Sequence, residues 1–125
     1  MRTAAEIERG LSQFTGTAEY RKFPGQPLLS TDGAAWLSEA AECYWLALLI
    51  AYSPHLGEQA APFQVWTADP QPDGTVAVEM REDTGEPAIY SRRVRVHKAP
   101  PCPLRMWAIY DGGAGCHVLM VPSEY

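Results

Sequence analysis

Apolar residues recur at helical spacing near the start of the chain. The stripe consists of Ala4, Ile7, Leu11 and Phe14, with polar residues between them. Thr3 can accept a hydrogen bond from a free N–H group in the first turn of such a helix. The pattern therefore predicts a first helix that begins after Thr3 and ends before Gly16.

A second and longer apolar stripe runs from Thr31 to Tyr52, TDGAAWLSEAAECYWLALLIAY. Thr31 and Asp32 can cap this helix, which predicts a beginning near Gly33, and Pro54 predicts its end. The second half of the segment is apolar on all sides and must be covered on all sides. A buried core helix is the favoured interpretation, and a helix at a subunit interface is the alternative. The uncharged run is too short to cross a bilayer, which needs about 20 apolar residues.

After Pro62 the apolar period changes from 3.6 to 2, which is typical of strands. Turn residues at Asp73-Gly74 and at Asp111-Gly112 separate alternating segments, and a proline-rich link covers 99–103. Five strands are predicted, at about 63–68, 76–80, 89–97, 104–110 and 117–121. Helices followed by strands predict an α+β fold with two N-terminal helices and an antiparallel sheet of about five strands. The length of the chain fits a single domain over residues 1–125.

Charge is unevenly distributed along the 125 residues, and the net charge is −5. Residues 58–86 carry 1 basic and 7 acidic groups, whereas 87–125 carry 5 basic and 2 acidic groups. This difference predicts cross-strand charge pairing between the middle and the last third of the chain. The acidic balance argues against non-specific nucleic-acid binding, which draws on a broad basic surface.

Cysteine use and the first residues indicate the compartment. Cys43, Cys102 and Cys116 leave an odd thiol and no disulfide framework. The first ten residues are acidic where a signal peptide needs an apolar segment. We therefore expect a cytoplasmic protein.

The order of several short motifs resembles a family of short, uncharacterised bacterial and mobile-element proteins, a domain of unknown function. The matching pieces are LSQFTGT at 11–17 with Tyr20, LSTDG at 29–33, YWL at 44–46, FQVW at 63–66 and VPSEY at 121–125. They span nearly the whole chain, and the segment after Arg92 is more basic and richer in proline than the family pattern. The resemblance implies a fold type and an origin on phages or plasmids, and it implies no reaction.

Residues with catalytic or metal-binding chemistry do not form a recognisable constellation. Cys102, Cys116, His97 and His117 lack the paired spacing of zinc ligands, so we expect no metal and no cofactor. No serine lies in a G-x-S-x-G motif, and Cys43 lies on a buried helix face where a thiol is inert. We therefore expect a non-catalytic protein.

One face of the predicted sheet combines tryptophan and arginine, the residues in which binding hot spots are enriched. If Val65, Val78 and Met106 pack on the long helix, alternation places a binding set on the opposite face. That set comprises Trp66, Arg93, Arg95, Arg105 and Trp107. The alternative is that other segments cover the tryptophans and that the arginines pair with Glu79 and Glu82.

The interpretation that we favour is a phage or plasmid accessory factor that binds and inhibits a host protein, for example a defence component. The alternative is a small-molecule binder that sequesters a nucleotide signal. In that case Arg93 and Arg95 would clamp phosphate and Trp66 or Trp107 would stack on the base.

Apolar residues on both faces of the last hairpin predict a homodimer. A two-layer domain covers only one face of its sheet, so the outer face of this hairpin needs a second copy. Its predicted interface residues are Ile109, Val118 and Met120.

Overall fold

The computed structural model describes residues 1–56 and 60–125 and shows three helices on one face of a seven-stranded mixed sheet. The helices are α1 (Ala4–Leu11), α2 (Asp32–Ala40) and α3 (Tyr44–Ala51). The strands are β1 (Arg21–Lys22), β2 (Leu28–Ser30), β3 (Phe63–Pro70), β4 (Thr75–Arg81), β5 (Tyr90–Arg95), β6 (Leu104–Asp111) and β7 (Cys116–Met120). A short 3₁₀ helix follows at Pro122–Glu124. The α+β class is confirmed.

The five strands predicted from the alternating pattern are present and antiparallel to one another. The sheet order is β1-β2-β7-β6-β3-β4-β5, so β5 and β1 are its two edges. The prediction of about five strands missed β1 and β2, which lie between the two predicted helices. Strand β2 pairs with β7 in parallel, and this pairing makes the sheet mixed.

The first helix begins as predicted and ends one turn early. The side chain of Thr3 accepts a hydrogen bond from the backbone of Glu6, and Glu6 bonds back to the Thr3 N–H in a capping box. The helix ends at Leu11, although the apolar stripe continues to Phe14, which packs against the core with Trp36.

The single helix predicted from Gly33 to Tyr52 is wrong, because the chain forms two helices with a break at residues 41–43. Glu42 adopts a left-handed conformation with a φ of 49°. The Cys43 N–H donates to the carbonyl of Ser38 at 2.8 Å, and the Glu42 N–H donates to that of Glu39 at 3.2 Å. This pair of bonds is a Schellman motif, which usually has glycine at the left-handed position. With glutamate there, the sequence shows no stop signal.

The core lies between the helices and the face of the sheet that they cover, called here the inner face. Its largest buried side chains include Trp66, Met80 and Met106 from neighbouring strands. Leu37 of α2 and Ile50 of α3 have no exposed surface and belong to the same cluster. None of α1–α3 lies on the opposite face, called the outer face, where Tyr125, directly after the 3₁₀ helix, packs on Trp107.

Candidate binding surfaces

Four of the five residues predicted to bind a partner lie on the outer face of the sheet. Arg93 pairs with Ala77, Arg105 with Thr67 and Trp107 with Val65, which fixes all of them on one side. Arg95 lies two positions from Arg93 on the same strand and shares its face. The three arginines are exposed and Trp107 is half-buried.

Trp66 is the exception, because it lies on the inner face with no exposed surface. Its Nε1 donates to the side-chain oxygen of Gln64 at 2.9 Å, and the Gln64 amide donates to the carbonyl of His55 at 2.6 Å. Such a bond satisfies the N–H group of a tryptophan that would otherwise be buried without an acceptor. The prediction that Val65 packs on the helices is wrong for the same reason, since Val65 lies on the outer face.

The residues predicted to clamp a nucleotide do not lie together. Arg93 and Arg95 lie on β5, and Trp107 lies on β6, with β3 and β4 between them. Three strand spacings correspond to roughly 14 Å, too far for a phosphate and its attached base to be held without a spacer. The Arg93 guanidinium moreover forms an ion pair with the Asp73 carboxylate at 3.3 Å. That ion pair joins the acidic middle of the chain to its basic last third, as the charge distribution predicts.

The other half of the outer face is aromatic and apolar. Trp107 packs against Phe63 and Tyr125, with ring centroids 5.2 Å and 5.4 Å apart. Next to this cluster, Ile109 and Met120 are half-buried and line a cavity of about 270 Å³ together with Tyr20, Tyr110, Asp111, Gly112, Val118 and Tyr125.

Val118 does not fit the interface that we predicted for a homodimer. It lies on the outer face opposite Ile109, yet it is 3% exposed within a single chain. Ile109 and Met120 remain available to a second copy, whereas Val118 is already covered.

An exposed apolar ridge on α3 is the surface that the sequence interpretation missed. Leu46, Ala47, Ile50 and Ala51 face the core. The side facing away from the core carries Tyr44, Leu48 and Tyr52, which are 58%, 49% and 67% exposed and lie one helical turn apart. We call these three residues the α3 ridge. The all-apolar composition of the segment was the signal for it, but that signal favoured full burial.

Polar residues from distant parts of the chain meet at the beginning of α2. The Glu124 carboxylate accepts hydrogen bonds from the Thr31 hydroxyl at 2.6 Å and from the Gly33 N–H at 3.0 Å. Ser123 donates to the carbonyl of Leu11 at 2.9 Å, near the end of α1. These contacts satisfy free groups at helix ends and place a negative charge at the positive end of the α2 dipole.

Asp32 belongs to the same junction and points away from its own helix. Its carboxylate accepts from the Ala18 N–H at 2.9 Å and from the Arg21 guanidinium at 2.9 Å. The hydrogen bond from Ala18, and then the one from Arg21, lower the pKa of Asp32. Thr31 and not Asp32 caps the helix, through a bond from the Ala34 N–H. All of these groups have partners within the chain, so the cluster stabilises the fold and does not form a binding site.

Three of the motif pieces quoted from the sequence meet at this junction, through Thr17, through Thr31 to Gly33, and through Glu124. One protein-family model, described as a family of unknown function, matches residues 5–125. The chain belongs to DUF6876. No curated protein and no solved structure shows significant similarity to it.

Thiols and metal-ligand residues of this DUF6876 chain are dispersed. Burial raises the pKa of the Cys43 thiol to about 12, so this group stays protonated at neutral pH. In residues 1–56 and 60–125, no three His, Cys, Asp or Glu side chains are grouped in a way that would hold a metal ion. Across the same residues, none of the helices has the length and apolar character that a bilayer crossing requires.

Proposed function

We propose that this DUF6876 chain is a non-catalytic protein-binding domain and that the α3 ridge is its main anchor. The observation that carries the proposal is the exposure of Tyr44, Leu48 and Tyr52 on a helix whose other side is fully buried. Tyrosine is enriched in binding hot spots because it offers a large apolar ring with a polar end. Contiguous apolar surface of this kind marks interaction sites on other proteins.

The size and shape of the ridge favour a partner with a groove. An aromatic side chain buries about 150–250 Å². At the observed exposures, the ridge offers on the order of 300–400 Å² per chain, well short of the ~800 Å² per partner in a standard interface. Two ridges packed on each other would therefore form a small interface. A groove that also covers the flanks of the helix buries more, which is how amphipathic helices are usually recognised.

Three expectations from the sequence belong to this proposal. They are a cytoplasmic location, an origin on a phage or plasmid, and inhibition of a host protein. Inhibition would follow if the groove that receives the ridge is one that the host protein needs for its own partner. The resemblance of the motifs supports the origin on a phage or plasmid, and the capture experiment below tests whether the protein binds a partner.

Affinity capture with matched variants tests the proposal. We expect the protein to retain a partner from bacterial lysate, and Tyr44→Glu or Tyr52→Glu to weaken that complex by about 30-fold or more, because truncating a hot spot costs about 2 kcal/mol or more. Tyr20→Glu is the matched control, since Tyr20 is 56% exposed and lies outside α3.

Two results would refute this function. One is capture that is equally weakened, or equally unaffected, by the ridge variants and by the Tyr20 variant. The other is a nucleotide that stabilises the fold by about 2.7 kcal/mol at 100 times its Kd, which would favour the ligand-sequestering alternative.

A homodimer through the outer face stays a separate prediction. It now depends on Ile109 and Met120, because these are the members of the predicted set that are half-exposed. Met120→Arg should give folded monomer if the dimer exists, since a charge at a dimer core is poorly tolerated. Light scattering of the unmodified protein that shows only monomer at high micromolar concentration would exclude the dimer.

A further inference from the structure

Strand β5 is an edge of the sheet, and the hydrogen-bonding groups on its free side can be assigned by alternation. The β3–β4 hairpin closes with a bond from the Gln71 N–H to the Thr75 carbonyl, so odd-numbered residues of β4 bond to β3. Even-numbered residues of β4 therefore bond to β5, where Val76 pairs with Val94. Just before β5, the Ile89 N–H donates to the Met80 carbonyl, so this even-numbered carbonyl of β4 also faces β5.

It follows that the backbone N–H and C=O groups of Ser91, Arg93 and Arg95 point away from the sheet. No strand lies beyond β5 in the described part of the chain. These three outward pairs of donors and acceptors are available to bond a further strand.

The side chains along this edge are basic. Arg92, Arg93 and Arg95 are all exposed. Of these three arginines, only Arg93 forms an ion pair with a described residue. Pairing with β5 of a second copy would place arginine opposite or near arginine, which is unfavourable across strands. An acidic strand would instead find opposite charge at each of these positions.

We propose that the β5 edge binds an extended acidic segment of a partner protein by adding it to the sheet as an eighth, antiparallel strand. This inference does not depend on the α3 ridge. Because neighbouring strands at this end are antiparallel, we infer the same direction for the added strand.

The register predicts the pattern of the bound segment. A residue opposite Arg95 and the one two positions later, opposite Arg93, lie on the outer face and are acidic. The residue between them lies over Val94, which is half-buried, and is apolar. The next residue, opposite Arg92, is acidic again. The segment therefore reads acidic, apolar, acidic, acidic from its N-terminal side.

A nucleic acid is the other polyanion that arginines attract, and two observations favour the peptide. Phosphates cannot pair with alternating outward N–H and C=O groups of a strand. The basic surface is also narrow, because Asp73 pairs with Arg93 and the start of β5 is flanked by Glu82, Asp83 and Glu86. Non-specific nucleic-acid binding needs a broader basic surface.

The test is a titration of the full chain with a capped peptide containing Glu-Val-Glu-Glu-Thr, followed by amide hydrogen exchange. We expect saturable binding below about 1 mM. Exchange should slow selectively at the amides of Ser91, Arg93 and Arg95, because those of Tyr90, Arg92 and Val94 are already bonded to β4. This alternation is specific to strand addition and would not arise from loose electrostatic attraction.

Charge-reversal variants supply the controls. The double variant Arg93→Glu/Arg95→Glu should weaken binding by about tenfold or more, given the magnitude of cross-strand charge pairs. Arg105→Glu should leave it unchanged, since Arg105 is an exposed arginine on the same face but on an internal strand. If the double variant unfolds, Arg95→Glu alone serves the same purpose.

Three results would overturn the inference. The first is no binding at 1 mM, on the order of the weakest affinity worth measuring, which would leave the arginines as protection of an edge against aggregation. The second is equal binding of a peptide with lysine in place of each glutamate. The third is tighter binding of a single-stranded oligonucleotide that depends on the same arginines.

Discussion

The polar residues at the two ends of the sheet differ in whether they have partners within the chain. Near the β1 edge, where β2 pairs with β7, Thr31, Asp32 and Glu124 all bond to groups of the same chain. At the β5 end, Arg92 and Arg95 are exposed and form no ion pair with any described residue.

The difference shows how to separate structural polar clusters from binding surfaces. At the β2–β7 junction, the carboxylates of Asp32 and Glu124 satisfy backbone N–H groups that would otherwise be unpaired. The β5 edge has outward backbone groups and the guanidinium groups of Arg92 and Arg95, which form no ion pair with a described residue. Loss of a residue at the first end should therefore affect stability, and loss at the second should affect binding.

The largest effect that we expect at the β2–β7 end is that of Glu124→Ala. This change leaves the Thr31 hydroxyl and the Gly33 N–H without their charged acceptor and should lower the free energy of unfolding by about 2–3 kcal/mol. Urea denaturation with an unchanged m value measures it. Glu124→Gln keeps the shape and should cost less. If Glu124→Ala lowered the free energy of unfolding by less than about 0.5 kcal/mol, the junction would not stabilise the fold.

Gly33→Ala should have the next largest effect, about 1–2 kcal/mol of destabilisation from overpacking. A Cβ at this position would lie 2.5 Å from the Glu124 carboxylate and 2.7 Å from a Val121 methyl carbon, so one of them must move. Gly112→Ala is the control, because a Cβ there would meet no atom within 4 Å. Thermal melts that shift equally for both alanine variants would contradict the close packing.

Arginine removal at the β5 end should change stability very little. We expect Arg92→Ala and Arg95→Ala to change the free energy of unfolding by no more than about 0.5 kcal/mol each, as for other surface positions without partners. The same urea denaturation measures them. The comparison between the two ends would break down if either variant lost more than about 1 kcal/mol, because the arginine would then have a structural partner.

The smallest expected effect is a pH dependence at the β2–β7 end. The pKa of Asp32 is lowered in the fold, first by the hydrogen bond from Ala18 and then by Arg21. A lowered pKa contributes stability above the unfolded pKa of about 3.9, and this stability is lost as the pH falls through the folded value. Asp32→Asn should therefore flatten the acid side of the stability profile below about pH 5. Parallel profiles for both proteins would show that Asp32 is not coupled to folding.

Several parts of the fold follow from the sequence because their signals are local. The Thr3 cap, the five alternating strands and the turns at Asp73-Gly74 and Asp111-Gly112 each depend on residues within a few positions of one another. The shared face of Arg93, Arg95 and Arg105 also followed from alternation once the strands were in place.

Other parts were decided only by the tertiary structure. Strand β3 has apolar residues on both faces, so alternation alone did not say whether Val65 or Trp66 faces the helices; pairing of Trp66 with Met80 and Met106 decided it. The helix break at Glu42 carries no glycine or proline, and its left-handed residue is held by bonds that form only in the folded turn.

The junction at α2 is the clearest case of a contact that the sequence alone did not predict. Thr31 and Glu124 lie 93 positions apart, and their contact depends on the parallel pairing of β2 with β7, which brings the end of one strand to the end of the other. A sequence determines which short segments form helices and strands, because those choices depend on near neighbours. Which of their polar groups remain free for a partner depends on contacts between distant segments, and so only the assembled fold determines it.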